Sequence, residues 1–237
     1  MEMHLVSSNR GLDWLGEGFE LFKKNPLIWI VLLIVAFVLV TLLNLVPLVG
    51  SIASILLQPV LIGGMLLGCR DLEQGEELRM EHLFEGFRQN TQPLIMIGVL
   101  TGAAYLFIGL VTFLVVGSGA LGLGAIGRLS DFSEFSAPAA LLGILMTSAL
   151  VMVMVLPVTM ATWFAPALVL FGHQPPVEAM RQSFFACLKN WLAFLVYGVV
   201  LMLLTFVAMI PAGLGLLVLA PTVIGSIYAG YRDIFGR

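Results

Sequence analysis

The chain has 237 residues, of which 60% are hydrophobic and 11% are charged, and its mean hydropathy is +1.06. A soluble domain is typically about 45–50% apolar and about 25% charged, so the composition excludes a water-soluble globule and predicts an integral membrane protein. The formal net charge is −3, which gives no reason to expect nucleic acid as a partner.

Six apolar stretches are long enough to cross a bilayer, whose core of about 30 Å requires about 20 helical residues. None of them contains Asp, Glu, Lys or Arg; they are Leu27–Leu45, Leu48–Gly68, Leu94–Val116, Ala139–Phe171, Leu192–Ile210 and Ala212–Tyr228. The fourth contains Pro157 and Pro166 and is too long for one span, so we expect a kinked helix with an extra segment. The sequence therefore predicts an all-α integral membrane protein, a single membrane domain over residues 1–237 with six transmembrane helices.

The basic residues separate sharply between the two sides of this arrangement. Six spans place both termini on one side, and ten of the eleven Lys and Arg residues fall there: Arg10, Lys23, Lys24, Arg70, Arg79, Arg88, Arg181, Lys189, Arg232 and Arg237. Only Arg128 falls on the other side. By the positive-inside rule, both termini are predicted to be cytoplasmic.

An internal repeat is visible along the chain. Its two clear copies begin with a Lys-Asn lead-in, Gly18–Leu27 in the first and Ser183–Leu192 in the second. Each has a proline in its second span, in Pro59–Gly63 and in Pro221–Gly225. Each closes with an Arg-Asp pair, Arg70-Asp71 and Arg232-Asp233. A degenerate copy between them has Phe84–Asn90 and Pro157-Val158. We predict three repeats in parallel orientation, over residues 12–72, 79–172 and 176–235, each an amphipathic cytoplasmic helix (the lead-in helix) followed by a two-helix hairpin.

The lead-in helices place apolar residues at helical spacing: Leu15, Phe19 and Phe22; Phe84 and Phe87; and Met180, Phe184 and Leu188. This pattern is typical of helices that lie in the headgroup layer of a membrane. The alternative is a loop helix that packs on its protein neighbours.

Small residues and prolines within the spans are predicted to shape helix packing. Gly64 and Gly68 are spaced to form a small face on the second span, and Ser226 and Gly230 repeat this spacing on the sixth. Such faces let helices approach closely in lipid, although a substrate groove is the alternative. The candidate packing or kink residues are Pro59, Gly64, Gly68, Pro157, Pro221 and Gly230, the prolines because each removes a backbone hydrogen bond.

A glycine pattern follows the third span, with Gly117, Gly119 and Gly122 in dinucleotide-binding spacing. The pattern follows an apolar span instead of a β-strand, which argues against nucleotide binding. We expect an external loop over residues 117–138 that carries Arg128.

Four cations beside the predicted cytoplasmic surface are candidates for contacts with anionic lipid headgroups: Arg70, Arg232, Lys24 and Lys189. Arginine can fork onto a phosphate, and basic residues near the cytoplasmic leaflet attract anionic lipids. The alternative is that they set the topology and form local ion pairs.

No ionisable residue lies inside a predicted span, which argues against a proton-driven carrier. The three histidines, His4, His82 and His173, lack metal-ligand spacing to Cys, Asp or Glu. We therefore expect no catalytic residue, no cofactor and no metal, and a protein that is not an enzyme.

Three short motifs carry a family resemblance: Lys24–Leu27, Pro59–Gly64 and Tyr231–Phe235. With them the chain resembles a family of uncharacterised bacterial multi-span inner-membrane proteins, which is similar to the membrane region fused to some bacterial glycerophosphodiester phosphodiesterases. The resemblance implies the bacterial cytoplasmic membrane as location. The phosphodiesterase catalytic domain has no counterpart in this chain, so that activity is not implied.

These observations favour a non-enzymatic scaffold that interacts with lipids or supports assembly, with membrane lipids, other membrane proteins or further copies of itself as partners. The alternative is a facilitator or channel for a small solute, with a polar path lined by Gln58, Thr101, Tyr105, Thr162 and Tyr197.

Overall fold

The computed structural model describes residues 3–125 and 137–236, and within these ranges all regular secondary structure is helical. The helices are α1 (Arg10–Lys24), α2 (Pro26–Asn44), α3 (Val49–Glu73), α4 (His82–Glu85), α5 (Thr91–Ala125), α6 (Ala137–Trp163), α7 (Ala165–Leu170), α8 (Pro176–Lys189), α9 (Trp191–Met209) and α10 (Leu216–Phe235). The predicted all-α class is confirmed.

Among the described residues, five helical segments are long and apolar enough to cross a membrane: Pro26–Asn44, Val49–Glu73, Thr91–Gly117, Leu141–Leu170 and Trp191–Met209. The sixth predicted span corresponds to α10, which has Arg232 and Asp233 in its last turns and buries most residues from Pro221 to Phe235. The sixth span and the repeat organisation stay predictions.

The chain divides into two compact units, one formed by Met1–Val99 with Met160–Arg237 and the other by Leu100–Thr159. The second unit consists of the adjoining parts of α5 and α6, where large apolar side chains such as Leu106, Phe113 and Met152 are exposed. The single membrane domain over residues 1–237 stays a prediction.

The fourth apolar stretch forms α6, a break at Phe164, and the short helix α7. Helix α6 continues through Pro157, and the break comes just before Pro166, where the ring would clash with a continuing helix. The Ser183 hydroxyl serves the interrupted backbone: it accepts a hydrogen bond from Phe164 N at 2.9 Å and donates one to Met160 O at 2.6 Å.

The predicted external loop over residues 117–138 is wrong at its start and agrees within two residues at its end. Helix α5 continues through the glycine pattern to Ala125, and α6 begins at Ala137. A continuous helix satisfies its own backbone hydrogen bonds, which matters more near hydrocarbon than the low helix propensity of glycine. Residues 126–136, with Arg128, lie outside the described residues.

The first lead-in helix, α1, runs antiparallel to α10. Arg10 contacts Asp233 near the end of α10, whereas a Cβ added to Gly18 would lie 2.2 Å from Thr222 O. Thr222 and Asp233 are eleven residues apart, about 16 Å along a helix. Helix α1 therefore extends along α10 and does not lie across its end.

Some of the apolar side chains of the lead-in helices are buried against the protein, and others are exposed. On α1, Leu15 and Phe22 are buried, and only Phe19 of the predicted set is exposed. Phe84 and Phe87 are exposed, and α4 is a single turn. The buried face of α1 thus packs on the protein, as the alternative interpretation expects, while a position in the headgroup layer stays a prediction.

Two glycines two residues apart on α1 give a matched test of this packing. We expect Gly18→Ala to destabilise the protein by about 1–3 kcal/mol, because its methyl group would overlap the α10 backbone. Gly16 has no atom within 4 Å of an added Cβ, so Gly16→Ala should be neutral or stabilise by up to about 1 kcal/mol through helix propensity. Thermal unfolding in detergent measures both, and equal midpoints for the two variants would contradict this packing.

Candidate functional site

The ends of α1, α3 and α10 bring together a group of charged and aromatic side chains, here called the chain-end cluster: Arg10, Asp13, Trp14, Glu17, Glu73, Tyr228, Arg232 and Asp233. Asp233 stands at one end of it. Its Oδ2 accepts a hydrogen bond from Arg10 Nε at 2.7 Å and another from Trp14 Nε1 at 2.9 Å. This hydrogen bond with Asp233 is the main reason why the pKa of Arg10 is raised.

Arg232 joins α1 to α3 within the same cluster. Its guanidinium binds Glu17 at 3.0 Å and also pairs with Glu73. The Tyr228 hydroxyl donates to Glu73 at 2.7 Å, and the Tyr228 ring lies 5.6 Å from the guanidinium carbon. Within the cluster, acids, guanidiniums and a phenol of α1, α3 and α10 bind one another, so these side chains act as a clasp between the three helices.

The first Arg-Asp pair holds the second lead-in segment in a similar way. Arg70 pairs with Asp71 at 3.1 Å, and His82 Nε2 lies 2.9 Å from Asp71 Oδ2. His82 Nδ1 lies 2.9 Å from the backbone N and 3.0 Å from the backbone O of Arg79. The Asp71 carboxylate can only accept, so the Nε2–H of His82 donates to it. Each aspartate of the two Arg-Asp pairs therefore accepts a ring N–H from the lead-in segment packed beside it.

The four predicted headgroup cations differ in how far they are already engaged. Arg232 is held by two carboxylates, and Arg70 pairs with Asp71 and lies over the Phe171 ring at 5.8 Å. Lys24 Nζ donates to Leu72 O at 2.7 Å. Lys189 is exposed at the end of α8 and forms no ion pair with any described residue. The lipid contacts stay predictions, and Lys189 is the cation most open to one.

Three of the six predicted packing residues, all glycines of the first unit, lie at close contacts with neighbouring segments. Gly64 faces the carbonyl groups of His82 and Leu83, and Gly68 faces the side chains of Leu78 and His82. Gly230 lies against the rings of Phe164 and Trp14. Pro59 and Pro221 are buried inside α3 and α10, whereas Pro157 lies within α6.

The polar residues proposed to line a solute path do not share one environment. Tyr197 is buried, its hydroxyl lies 2.7 Å from Ser226 Oγ, and its ring packs against Trp14, Trp163 and Phe194. Gln58 is exposed in the first unit. Thr101, which is buried, and Tyr105, which is exposed, belong to the second unit, and Thr162 is partly buried in the first. At Tyr197 the packing is closed by aromatic rings.

Sequence reasoning missed three residues that hold the lead-in segments. The sequence pattern does not mark Trp14 and His82 as partners of the Arg-Asp pairs, and it shows Asn190 only as part of the Lys-Asn lead-in. In the structure Asn190 is buried, accepts from Val6 N at 2.9 Å and donates to His4 O at 3.3 Å, so it holds the N-terminal segment. The repeated Arg-Asp pair was the available signal, since a partly buried acid favours a donor from another element.

Comparison with known proteins gives one relative of similar length. The chain is 32% identical over 238 residues to the probable inner membrane protein BTH_II0599 of Burkholderia thailandensis, covering 97% of this chain and 84% of the relative. No protein-family model matches the chain, and no solved structure matches it. The prediction of a multi-pass bacterial inner-membrane protein is confirmed. The likeness to phosphodiesterase membrane regions and the side on which the termini lie stay predictions.

The clasp role of the cluster predicts that Asp233→Asn lowers the free energy of unfolding by about 1–3 kcal/mol, because the partly buried Arg10 and the buried Trp14 lose a charged acceptor. The control is Glu20→Gln, since Glu20 pairs only with its exposed neighbour Lys23 and such pairs contribute about 0.2–1 kcal/mol. Thermal unfolding of both variants in detergent is the measurement. A loss for Asp233→Asn no larger than for Glu20→Gln would refute the clasp.

Proposed function

The chain belongs to the family of bacterial inner-membrane proteins that includes the Burkholderia thailandensis relative, and on this premise we propose that it is a non-enzymatic, lipid-interacting scaffold. It is a multi-pass protein of the inner membrane. Its partners in this proposal are membrane lipids, with other membrane proteins or further copies as assembly partners. No cofactor or nucleic acid takes part.

The proposed architecture is three like-oriented repeats that dock on one another in order. Its support is the partner of each lead-in helix: α4 packs on α3, α8 on α7 and the end of α6, and α1 on α10. Each lead-in thus meets the second helix of the preceding repeat, and the first meets the last. In each case a small residue of the lead-in approaches that helix closely: Gly18 at Thr222, Gly86 at Val60 and Ser183 at Met160.

The proposed orientation has both termini in the cytoplasm. The positive-inside distribution of the basic residues supports it. The chain-end cluster, the His82–Asp71 pair and Lys189 would then all lie at the cytoplasmic surface, where anionic headgroups and water can meet those charges that the protein leaves unpaired.

The observation that carries the scaffold function is the closed packing around Tyr197. A solute path needs polar groups that remain open to the solute, but the Tyr197 hydroxyl is engaged with Ser226 among aromatic rings. Most of the charged groups at the chain ends likewise bind one another and hold helices together. The polar chemistry of the first unit therefore serves assembly of the fold, and no specific observation favours the facilitator.

Lys189 and Arg181 provide a matched test because both are exposed on α8, but Arg181 is already paired with Glu178 at 2.9 Å. We expect Lys189→Gln to reduce the number of phosphatidylglycerol molecules retained in native mass spectrometry, because an open cation near the membrane attracts anionic headgroups. Arg181→Gln should retain the wild-type number.

Liposomes that contain the wild-type protein should not release small solutes entrapped in them. Equal lipid retention in both variants would count against the lipid contact, and solute release that requires the protein would favour the facilitator instead.

A further inference from the structure

The α2–α3 hairpin carries a group of uncharged polar side chains, although both of its helices are apolar enough to cross a membrane. Asn44 is the last residue of α2, and Ser51, Ser54 and Gln58 follow on α3 at intervals of three and four residues. Residues at these intervals lie on one face of a helix. These four residues are here called the polar patch.

Three members of the polar patch bind one another. The Asn44 amide donates to Val40 O at 2.8 Å and to Ser54 Oγ at 2.9 Å. The Ser51 hydroxyl donates to Asn44 Oδ1 at 3.3 Å. At this end of the patch the polar groups therefore serve the hairpin itself, because they hold α2 against α3.

Gln58 is different. Its side chain is exposed, and among the residues that the structure describes none forms a hydrogen bond with its amide. Pro59 lacks the N–H that would bind Ile55 O in a regular helix, but the Gln58 amide does not take its place. Its two N–H donors and its carbonyl acceptor are therefore all directed outside the first unit.

The position of Gln58 along the hairpin makes this exposure costly. It lies nine residues after the start of α3 at Val49, which is about 14 Å along the helix and about half of a bilayer core of about 30 Å. Large apolar side chains of the same hairpin, such as Phe37 and Ile52, are exposed as well, as expected for a surface in contact with acyl chains. Acyl chains offer no hydrogen bond, so an amide at this depth requires a polar partner.

Hydroxyl groups of other helices show how a polar side chain avoids this cost. Thr205 on α9 donates to Leu201 O at 2.7 Å, and Thr222 on α10 donates to Val218 O at 2.8 Å. Each hydroxyl uses a carbonyl of its own helix. Thr205 is exposed like Gln58 but needs no external partner, which makes it a matched comparison.

We propose that the polar patch is the contact between two copies of this chain, and that the two Gln58 amides hydrogen-bond to each other across it. One side chain carries both donor and acceptor, so two copies related by a two-fold axis satisfy each other reciprocally. Copies with the same orientation in the membrane have this axis along the membrane normal, which brings Gln58 beside Gln58 and Ser51 beside Ser51. Serines are small enough to let the two α3 helices approach closely.

This inference rests on one part of the proposed function, the use of further copies as assembly partners. It specifies the surface that the copies share. The lipid contact proposed for Lys189 lies on α8 and does not depend on it.

The first test measures association of the full-length protein in phospholipid vesicles by energy transfer between copies labelled at Ser8→Cys, over a range of protein-to-lipid ratios. Cys69 and Cys187 are buried and should not take the label. We expect wild-type patch residues to give a dimer, and Gln58→Leu to raise its dissociation constant by about tenfold, because two interhelical amide hydrogen bonds are lost. Thr205→Val, the control, should leave the dissociation constant unchanged.

The second test keeps Gln58 and locates the interface. Ser51→Cys, oxidised by copper phenanthroline in native membranes, should give a covalent dimer of this chain. Thr205→Cys, on the exposed surface of α9, should give none. Adding Gln58→Leu to Ser51→Cys should lower the yield of the dimer, while the thermal midpoint of Gln58→Leu stays that of wild type because the side chain is exposed.

Three results would overturn the proposal: wild type that stays monomeric at every ratio, equal dissociation constants for Gln58→Leu and Thr205→Val, or Ser51→Cys that cross-links only to a different protein. If phosphatidylglycerol retention still depends on Lys189 in any of these cases, the lipid-interacting function stands without this interface. Solute release from vesicles that Gln58→Leu abolishes would place Gln58 in a solute path and overturn both.

Discussion

The close approach of Gly18 to the backbone of α10 determines where the charged first helix lies along the membrane-embedded part of the chain. Because no side chain separates the two helices there, α1 can run beside α10 for about 16 Å instead of resting on its end. The charged residues on α1 need water or headgroups, and Lys24 at the end of α1 donates to Leu72 O near the end of α3. Glycine is required at this position, since a methyl group would meet Thr222 O at 2.2 Å.

The charged residues of the chain are used mainly to join helices. In both Arg-Asp pairs the aspartate accepts a ring N–H, from Trp14 at Asp233 and from His82 at Asp71. Hydrogen bonds to a charged acceptor in a partly buried site contribute more than those at an open surface. Two unlike rings thus make the same connection at corresponding ends of α3 and α10, which explains why a short Arg-Asp motif can recur while the helix that binds it varies.

The sequence was sufficient to predict the membrane class, the all-helical fold and five of the apolar segments. A long run of apolar residues without charges is stable in lipid as a helix, because the helix satisfies its own backbone hydrogen bonds. The break before α7 could be anticipated from Pro166. The extension of α5 through Gly117 could not, since glycine normally interrupts helices in water and the competing cost of unpaired backbone in lipid is invisible in a residue pattern.

Contacts between distant parts of the chain were the least predictable. The apolar spacing of Leu15 and Phe22 indicates a buried face but not whether lipid or protein covers it, and protein does. Likewise, Arg232 beside a predicted surface looks available for phosphate, yet Glu17 and Glu73 already hold it. The pairing depends on how α1 and α3 meet α10, which is tertiary information.

The position of α1 along α10 is tested most directly by the distance between spin labels at Gly16 and Leu214, measured by double electron–electron resonance in vesicles. Docking along α10 predicts a distance of about 20 Å, because Leu214 lies only eight residues beyond the Thr222 contact. A distance beyond about 30 Å, as expected if α1 lay at the level of Asp233, would contradict the account.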